Sequence, residues 1–184
     1  MRYQSIFTLL SLALLTQQTL AACGKDDWRQ LLRHADAPAV ASHIKNQHCD
    51  IDQSLDDVSK TPLVYAIDAR NRAAVQALLK AGANPNADGY DGNTPLFYAV
   101  AAKDMNIVQD LIAKGADVNA STRTSEITVL MAAVLDSTPA IASYLVKRGA
   151  SLSDADKYGH KPADYVAKLP VKQQAAMRAA LKKN

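Results

Sequence analysis

Apolar residues recur along this chain at the spacing of a helix face, in short segments that open with threonine and proline. After Thr61 and Pro62, the apolar side chains Leu63, Ala66 and Ile67 stand at third- and fourth-neighbour positions. Such positions share one face of an α-helix, and threonine followed by proline is typical of the first turn of a helix. The segment therefore predicts a short helix with one narrow apolar stripe.

The same segment returns at a fixed period, which is typical of a repeat protein. Successive copies are separated by 33, 34 and 33 residues. Stacked units of this kind bury their apolar faces against their neighbours, so the chain is expected to form a solenoid. The four copies are TPLVYAI at 61–67, TPLFYAV at 94–100, TVLMAAV at 128–134 and a weaker KPADYVA at 161–167.

Each period also contains a second apolar run, and three of the periods end it with a glycine. In the first copy this run is Val75, Leu78 and Leu79, again at helical spacing. Each period thus predicts a pair of helices, and Asp88-Gly89 and Asp91-Gly92 predict a hairpin loop between two pairs. The glycines that are predicted to end the second helices in a left-handed conformation are Gly82, Gly115 and Gly149.

These motifs resemble the ankyrin repeat, a 33-residue unit with a T-P-L-H-x-A signature. The resemblance implies an all-α repeat solenoid with short β-hairpin loops, in which three regular repeats lie between two degenerate capping units. One departure is that Val64, Phe97 and Met131 replace the family's histidine, so loop stiffness is expected to depend on packing and the inner surface to be unusually apolar. The units are placed at about 25–54, 55–87, 88–120, 121–154 and 155–184.

The two terminal units are predicted as helical pairs that close the ends of the stack. The first pair is placed at 26–36 and 38–48, with Trp28 among its inward residues. The last helix is placed at 171–182, with Met177 inward and lysines outward. Terminal units of a solenoid need such a polar outer face.

The first 22 residues are interpreted as a secretory signal peptide, which leaves residues 23–184 as the repeat domain. Arg2 gives a basic start, Ile6 to Leu15 is apolar, and Ala21 and Ala22 offer a cleavage site. The apolar run is too short to span a bilayer, which takes about 20 residues. The chain is therefore expected in the bacterial periplasm.

Cys23 has two competing interpretations. A disulfide with Cys49 is favoured for two reasons. The expected compartment is oxidising, and an antiparallel arrangement of the first two predicted helices, 26–36 and 38–48, would bring the two cysteines together. The alternative is that Leu20-Ala21-Ala22-Cys23, which resembles a lipobox, makes the chain an outer-membrane lipoprotein anchored through Cys23.

Composition and charge narrow the classes of function. The chain has 21 Lys and Arg against 18 Asp and Glu, and a net charge of +3 is small and dispersed for a nucleic-acid binder. No catalytic motif and no cofactor motif is present, so neither an enzyme nor a cofactor is expected. His34, His43, His48 and Cys49 match no zinc spacing. The three histidines are interpreted as solvated side chains of the capping unit, and Cys49 as the favoured disulfide partner of Cys23.

The resemblance implies that a protein partner is held by the hairpin tips and by the inner face of each first helix. Tyr90 and Tyr158 are the preferred anchors, because tyrosine is enriched among the residues that dominate binding energy. The candidate contact residues are Lys60, Asp68, Tyr90, Asp91, Asn93, Ile127, Leu135, Asp136, Lys157, Tyr158 and His160.

The resulting hypothesis is a monomeric, non-enzymatic protein-binding module in the periplasm. What the resemblance implies for a small exported bacterial protein of this kind is an immunity protein that occludes a secreted antibacterial toxin. The alternative is a stress-protection or chaperone-like scaffold for an envelope enzyme.

Overall fold

The computed structural model describes residues 24–47, 50–57, 59–89, 92–136 and 138–182. Within these ranges the secondary structure is helical, which confirms the predicted all-α repeat solenoid. None of the described helices is long and apolar enough to cross a membrane. The helices are α1 (Lys25–His34), α2 (Ala37–Gln47), α3 (Pro62–Asp68), α4 (Arg72–Ala81), α5 (Pro95–Ala101), α6 (Met105–Ala113), α7 (Val129–Leu135), α8 (Pro139–Lys147), α9 (Pro162–Val166) and α10 (Val171–Ala180).

The helices stack in two layers. The odd-numbered helices form an inner layer in which α1, α3, α5, α7 and α9 pack in that order, each against the next. The even-numbered helices form an outer layer in the same order, and each odd-numbered helix also packs on the even-numbered helix that follows it. Every helix pair therefore contacts only its neighbours in the stack, as in a solenoid.

The core runs between the two layers along the whole stack. The predicted stripe of α3, Leu63, Ala66 and Ile67, is fully buried, and its counterparts in α5 and α7 are buried too. Alanines such as Ala66 and Ala99 let adjacent inner helices approach closely. Trp28 is fully buried in the first pair and Met177 in the last, so the core extends into both terminal units.

The helix ends confirm the capping predictions in part. Gly82, Gly115 and Gly149 adopt φ values of +99°, +89° and +97°, the left-handed conformation that was predicted for them. Thr61 Oγ1 accepts a 3.5 Å hydrogen bond from the Val64 backbone N–H, as a cap should. Thr94 also stands at the N-cap of its helix, before Pro95, but its buried hydroxyl has no hydrogen-bond partner within the described part of the chain. Its carbonyl accepts from Phe97 N–H at 2.9 Å.

Two terminal helices, α1 and α10, are shorter than predicted and α2 begins one residue earlier than predicted, for local reasons. The first pair divides at Ala35 and Asp36, where Ala35 is extended and Asp36 Oδ1 accepts a 2.9 Å hydrogen bond from Ala39 N–H. This aspartate caps α2, which begins before Pro38 because proline is tolerated in a first turn. The last helix ends at Ala180, with Leu181 as its C-cap.

Two further expectations about the loops need correction. Val64, Phe97 and Met131 are buried in the core, so they do not make the inner surface more apolar. The expected β-hairpin loops contain no strand in the described residues, and the single β-bridge among them joins Ser121 and Thr128.

Polar side chains, rather than packing alone, hold successive units together at the loops that follow the outer helices. Asn86 donates to the Gly115 carbonyl at 2.9 Å and accepts from Asp117 N–H at 2.8 Å. One unit later, Asn119 repeats this arrangement with the Gly149 carbonyl and Ser151 N–H, at 3.5 and 2.8 Å. We call these contacts the asparagine ladder. They join successive loops by hydrogen bonds, although the histidine that has this role in the family is absent.

Replacing Asn86 with alanine should lower the free energy of unfolding by about 1–2 kcal/mol, because two hydrogen bonds between units are lost. Urea unfolding followed by circular dichroism would measure the change. Asn106→Ala is the matched control, since Asn106 is an exposed helical residue whose side chain makes no hydrogen bond within the described part of the chain. Equal effects of the two substitutions would contradict a role for the ladder.

Candidate protein-binding groove

Four short loops, here called fingers, lead into the inner helices α3, α5, α7 and α9. Each finger is closed by a hydrogen bond from a backbone N–H at its start to a backbone carbonyl at its end. The four bonds are Leu55 to Lys60 (2.8 Å), Gly89 to Asn93 (3.2 Å), Thr122 to Ile127 (3.0 Å) and Asp156 to His160 (2.9 Å). The fingers span 55–60, 89–93, 122–127 and 156–160, of which residues 58, 90 and 91 lie outside the described ranges. The fingers and the inner helices together form the candidate groove.

Lys60 and Asp68, both predicted as partner contacts, are brought together across the first unit. The Lys60 Nζ atom lies 2.7 Å from Asp68 Oδ2, and it also lies 5.3 Å from the centre of the Tyr98 ring in the next unit. The hydrogen bond to Asp68 raises the pKa of Lys60. This ion pair between a finger and the end of α3 gives the groove a fixed polar feature beside two tyrosine rings, those of Tyr65 and Tyr98.

An aspartate and a tyrosine anchor the first and fourth fingers to their inner helices. In the first finger, Asp56 accepts from Tyr65 Oη at 2.9 Å and from Lys60 N–H at 2.8 Å. In the fourth, Asp156 accepts from Tyr165 Oη and, at 2.8 Å, from His160 N–H. The spacing of nine residues between aspartate and tyrosine is the same in both units.

The anchor of the fourth finger has more hydrogen bonds than that of the first. Asp156 is buried and accepts further hydrogen bonds from Tyr158 N–H at 2.9 Å and from His160 Nδ1 at 3.2 Å. Burial alone would raise the pKa of Asp156, but the hydrogen bonds from Tyr165 and from the backbone of His160 and Tyr158 outweigh it and hold the pKa well below its usual range. Burial and the same carboxylate raise the pKa of Tyr165 to about 12.

The second finger lacks this anchor. Gly89 occupies the position of the aspartate, and Tyr98 occupies the position of the tyrosine. The Tyr98 hydroxyl lies 3.7 Å from where a Cβ atom on Gly89 would be, and no group in the described ranges accepts a hydrogen bond from it. Burial raises the pKa of Tyr98. The inner helix of the third unit carries Ala132 at this position.

Leu135 and Tyr158 are exposed, as expected of partner contacts. Their exposed fractions are 42% and 71%, and only one other large apolar side chain of the described residues, Val171 at 84%, is as accessible. Lys157 Nζ lies 5.1 Å from the centre of the Tyr158 ring. Leu135 belongs to the third inner helix after α1 and Tyr158 to the fourth finger, so both lie toward the end of the stack away from Lys60.

The remaining candidate residues are less available or lie outside the described ranges. His160 is held by Asp156, and its ring also contacts Tyr165 with a centroid distance of 5.9 Å. Ile127 is half-buried against the core, Asp136 caps the end of α7, and Asn93 is half-buried with its carbonyl engaged. Tyr90, Asp91, Cys23 and Cys49 lie outside the described residues, as does the predicted signal peptide at 1–22.

Adjacent fingers are tied to each other. Arg123 in the third finger forms an ion pair with Asp88, which precedes the second. Lys157 N–H in the fourth finger donates to the Ser125 carbonyl in the third, at 3.2 Å. Because both contacts cross from one unit to the next, the second, third and fourth fingers form a connected edge of the groove.

The histidines of the first unit form no metal site in the described ranges, where no three histidine, cysteine or acidic side chains come together. His34 is exposed, as predicted. The prediction is wrong for His43, whose ring packs edge-on against Trp28 with centroids 4.7 Å apart. Burial there lowers the pKa of His43.

Sequence reasoning missed the anchors, although the repeat contained their signal. Tyrosine stands four residues after the first residue of three of the four aligned segments, in TPLVY, TPLFY and KPADY. Aspartate stands five residues before the first and the last of these segments. A comparison of the copies column by column would have paired Asp56 with Tyr65 and Asp156 with Tyr165.

Asp156→Asn should destabilise the protein, and the effect should depend on pH. An aspartate whose pKa is lowered by folding adds stability above its unfolded pKa of about 4, and this stability is lost as the pH falls through the lower folded pKa. The difference in unfolding midpoint between wild type and variant should therefore be largest at neutral pH and shrink below about pH 4.

Urea unfolding at several pH values would measure this difference. Asp57→Asn is the control, because Asp57 is exposed and makes no hydrogen bond within the described ranges. A midpoint difference that stays constant across the acid range would contradict the role of the charged Asp156.

Comparison with known families agrees with this architecture. A family model for ankyrin repeats, in 3 copies, matches residues 29–122, just over half of the 184 residues. No curated protein matches the chain. Ankyrin repeats are protein–protein interaction modules and are generally not catalytic. The chain belongs to the ankyrin repeat family.

Proposed function

We propose that this protein is an exported, non-enzymatic module that binds another protein in its inner groove and serves as an immunity protein in the bacterial periplasm. In this role it occludes the active site of a toxin delivered by a neighbouring cell. The observation that carries the proposal is the exposure of Leu135 and Tyr158 on the groove side of the stack, with Tyr158 in a finger that is anchored to its inner helix.

The mechanism is steric. Fingers that are anchored to their helices, as the first and fourth are, lose little conformational freedom on binding, so more of the contact energy appears as affinity. Tyr158 lies in the finger that Asp156 anchors, and its own backbone N–H donates to that carboxylate. An exposed aromatic side chain on an anchored backbone suits the centre of a protein interface.

The alternative is a stress-protection or chaperone-like scaffold for an envelope enzyme. The same groove serves both roles, and neighbouring genes distinguish them. A toxin or secretion gene favours immunity, whereas a catalase or peroxidase gene favours protection.

Export predicts a defined mature chain. Intact-mass measurement of the protein recovered from the periplasm should show the loss of residues 1–22 and a further loss of two hydrogens for a Cys23–Cys49 disulfide. A lipid-sized increment on Cys23 would instead establish the lipoprotein alternative. Recovery of the uncleaved chain from the cytoplasm would contradict export.

Tyr158→Ala and Leu135→Ala should each weaken binding of the toxin encoded beside this gene, Tyr158→Ala by about 2 kcal/mol, or roughly thirtyfold in Kd. Calorimetric titration would measure Kd, and survival of toxin-exposed cells would report immunity. Both residues are exposed, so the melting temperature should stay unchanged.

Val171→Ala is the matched control, because Val171 is exposed but begins the outer helix α10. Failure to recover any protein partner, even with candidate toxins supplied, would contradict the proposal. An intrinsic activity that is abolished by replacing Asp136 and His160 together would contradict its non-enzymatic part.

A further inference from the structure

Every helix of the outer layer ends in at least one exposed cation. These residues stand in the last turn of their helix or directly after it. Adjacent packed helices lie about 8–10 Å apart, so the cations follow one edge of the stack at about that interval. We call them the basic row: Lys45, Lys80, Lys114, Lys147, Arg148 and Arg178.

The net charge of +3 conceals two oppositely charged parts of the molecule. The five segments that contain the outer helices carry 9 Lys and Arg against 3 Asp, whereas the rest of the chain contains 12 Lys and Arg against 15 Asp and Glu. The expectation from sequence that the positive charge is dispersed is therefore wrong. The segments counted as outer are 36–47, 71–82, 104–115, 138–149 and 170–182.

The helix dipole does not account for the row. A cation at the C-terminus of a helix interacts favourably with the last carbonyl groups, whichever layer the helix belongs to. Among the inner helices, the first, α1, has Arg33 and His34 in its last turn, but α3, α5, α7 and α9 have no basic residue there. One of them, α3, ends in Asp68. The cations are thus concentrated on one face of the stack.

Most of the row is not neutralised by carboxylates. No ion pair in the described ranges involves Lys45, Lys80, Lys114 or Lys147. The nearby Asp110 is engaged by Arg72 at 2.7 Å and by Gln76 at 3.0 Å, and Asp117 Oδ1 accepts from Asn119 N–H at 2.8 Å.

An apolar cleft accompanies the row at its first two cations. The cleft lies between the outer helices α2 and α4 and has a volume of about 610 Å³. Its apolar lining residues are Ala37, Pro38, Ala41, Ile44, Ala77 and Ala81. Lys45 and Lys80 also line the cleft, so two lysine side chains border an apolar surface.

We propose that the basic row and this cleft dock the outer face of the protein on an anionic lipid bilayer. Lipid phosphates meet the lysines of the row, and the cleft receives apolar lipid groups while Lys45 and Lys80 extend toward the headgroups. The cleft favours lipid over nucleic acid, because alanines and an isoleucine offer bases neither hydrogen bonds nor aromatic stacking.

This orientation leaves the groove facing away from the bilayer. The fingers and Tyr158 belong to the inner side, whereas the basic row lies on the outer layer. Lipid docking is thus compatible with simultaneous capture of a protein partner, but it does not depend on the proposed immunity function.

Co-sedimentation with vesicles tests the proposal. The full chain should bind vesicles that contain phosphatidylglycerol more tightly than vesicles of phosphatidylcholine alone, and the difference should fall as salt is added. Each cation near an anionic surface is worth roughly fivefold in partitioning, so Lys80→Gln with Lys114→Gln should reduce the difference by about 25-fold. Residues 1–23 contribute equally to every variant.

Lys25→Gln with Lys103→Gln is the matched control, because it removes the same charge from exposed positions off the basic row. This pair should leave partitioning almost unchanged, and circular dichroism should show both double variants folded. Equal losses in the two pairs, or equal binding to both kinds of vesicle, would overturn the proposal.

Retention of duplex DNA without vesicle binding would also overturn it, in favour of a nucleic-acid surface. No protein partner is present in any of these assays. Their failure therefore leaves the proposed groove function untouched, and failure to find a toxin leaves lipid docking untouched.

Discussion

The structure depends on the packing of each helix pair against the next. A single pair exposes an apolar stripe on both sides and cannot bury it alone, so the units are stable only as a stack. The leucine that follows each of the first helix positions, Leu63, Leu96 and Leu130, is buried at the same place in successive units. Trp28 and Met177 extend this core into the terminal pairs and complete the burial of the first and last regular units.

Polar contacts then fix what packing leaves free. The asparagine ladder joins successive loops, and the aspartate–tyrosine anchors hold the first and fourth fingers on α3 and α9. The second finger has glycine in place of the aspartate, so the groove combines anchored fingers with a tyrosine, Tyr98, whose hydroxyl has no acceptor in the described residues. A surface that is largely preformed suits recognition of another folded protein.

The inner and outer layers present different side chains at the surface. The inner side carries the two anchor tyrosines and Tyr98, the Lys60–Asp68 pair and the exposed Leu135, whereas the outer helices carry the basic row. Stacking generates both faces from one repeat, because a residue type that recurs once per unit becomes a line of side chains along the stack. A modest change in each copy of the repeat therefore produces an extended surface.

The sequence by itself determined the repeat, the helix pairs, the buried stripes and the left-handed glycines, because periodicity and capping are local properties that a chain carries in its order of residues. Only the tertiary structure decided which polar groups meet. Asp156 meets Tyr165, and Lys60 meets Asp68, only when a finger folds back on the inner helix of its own unit. The cations of the outer helices form a row only once the units have stacked. Burial of Val64, Phe97 and Met131 was likewise fixed by the approach of neighbouring helices, which no single repeat specifies.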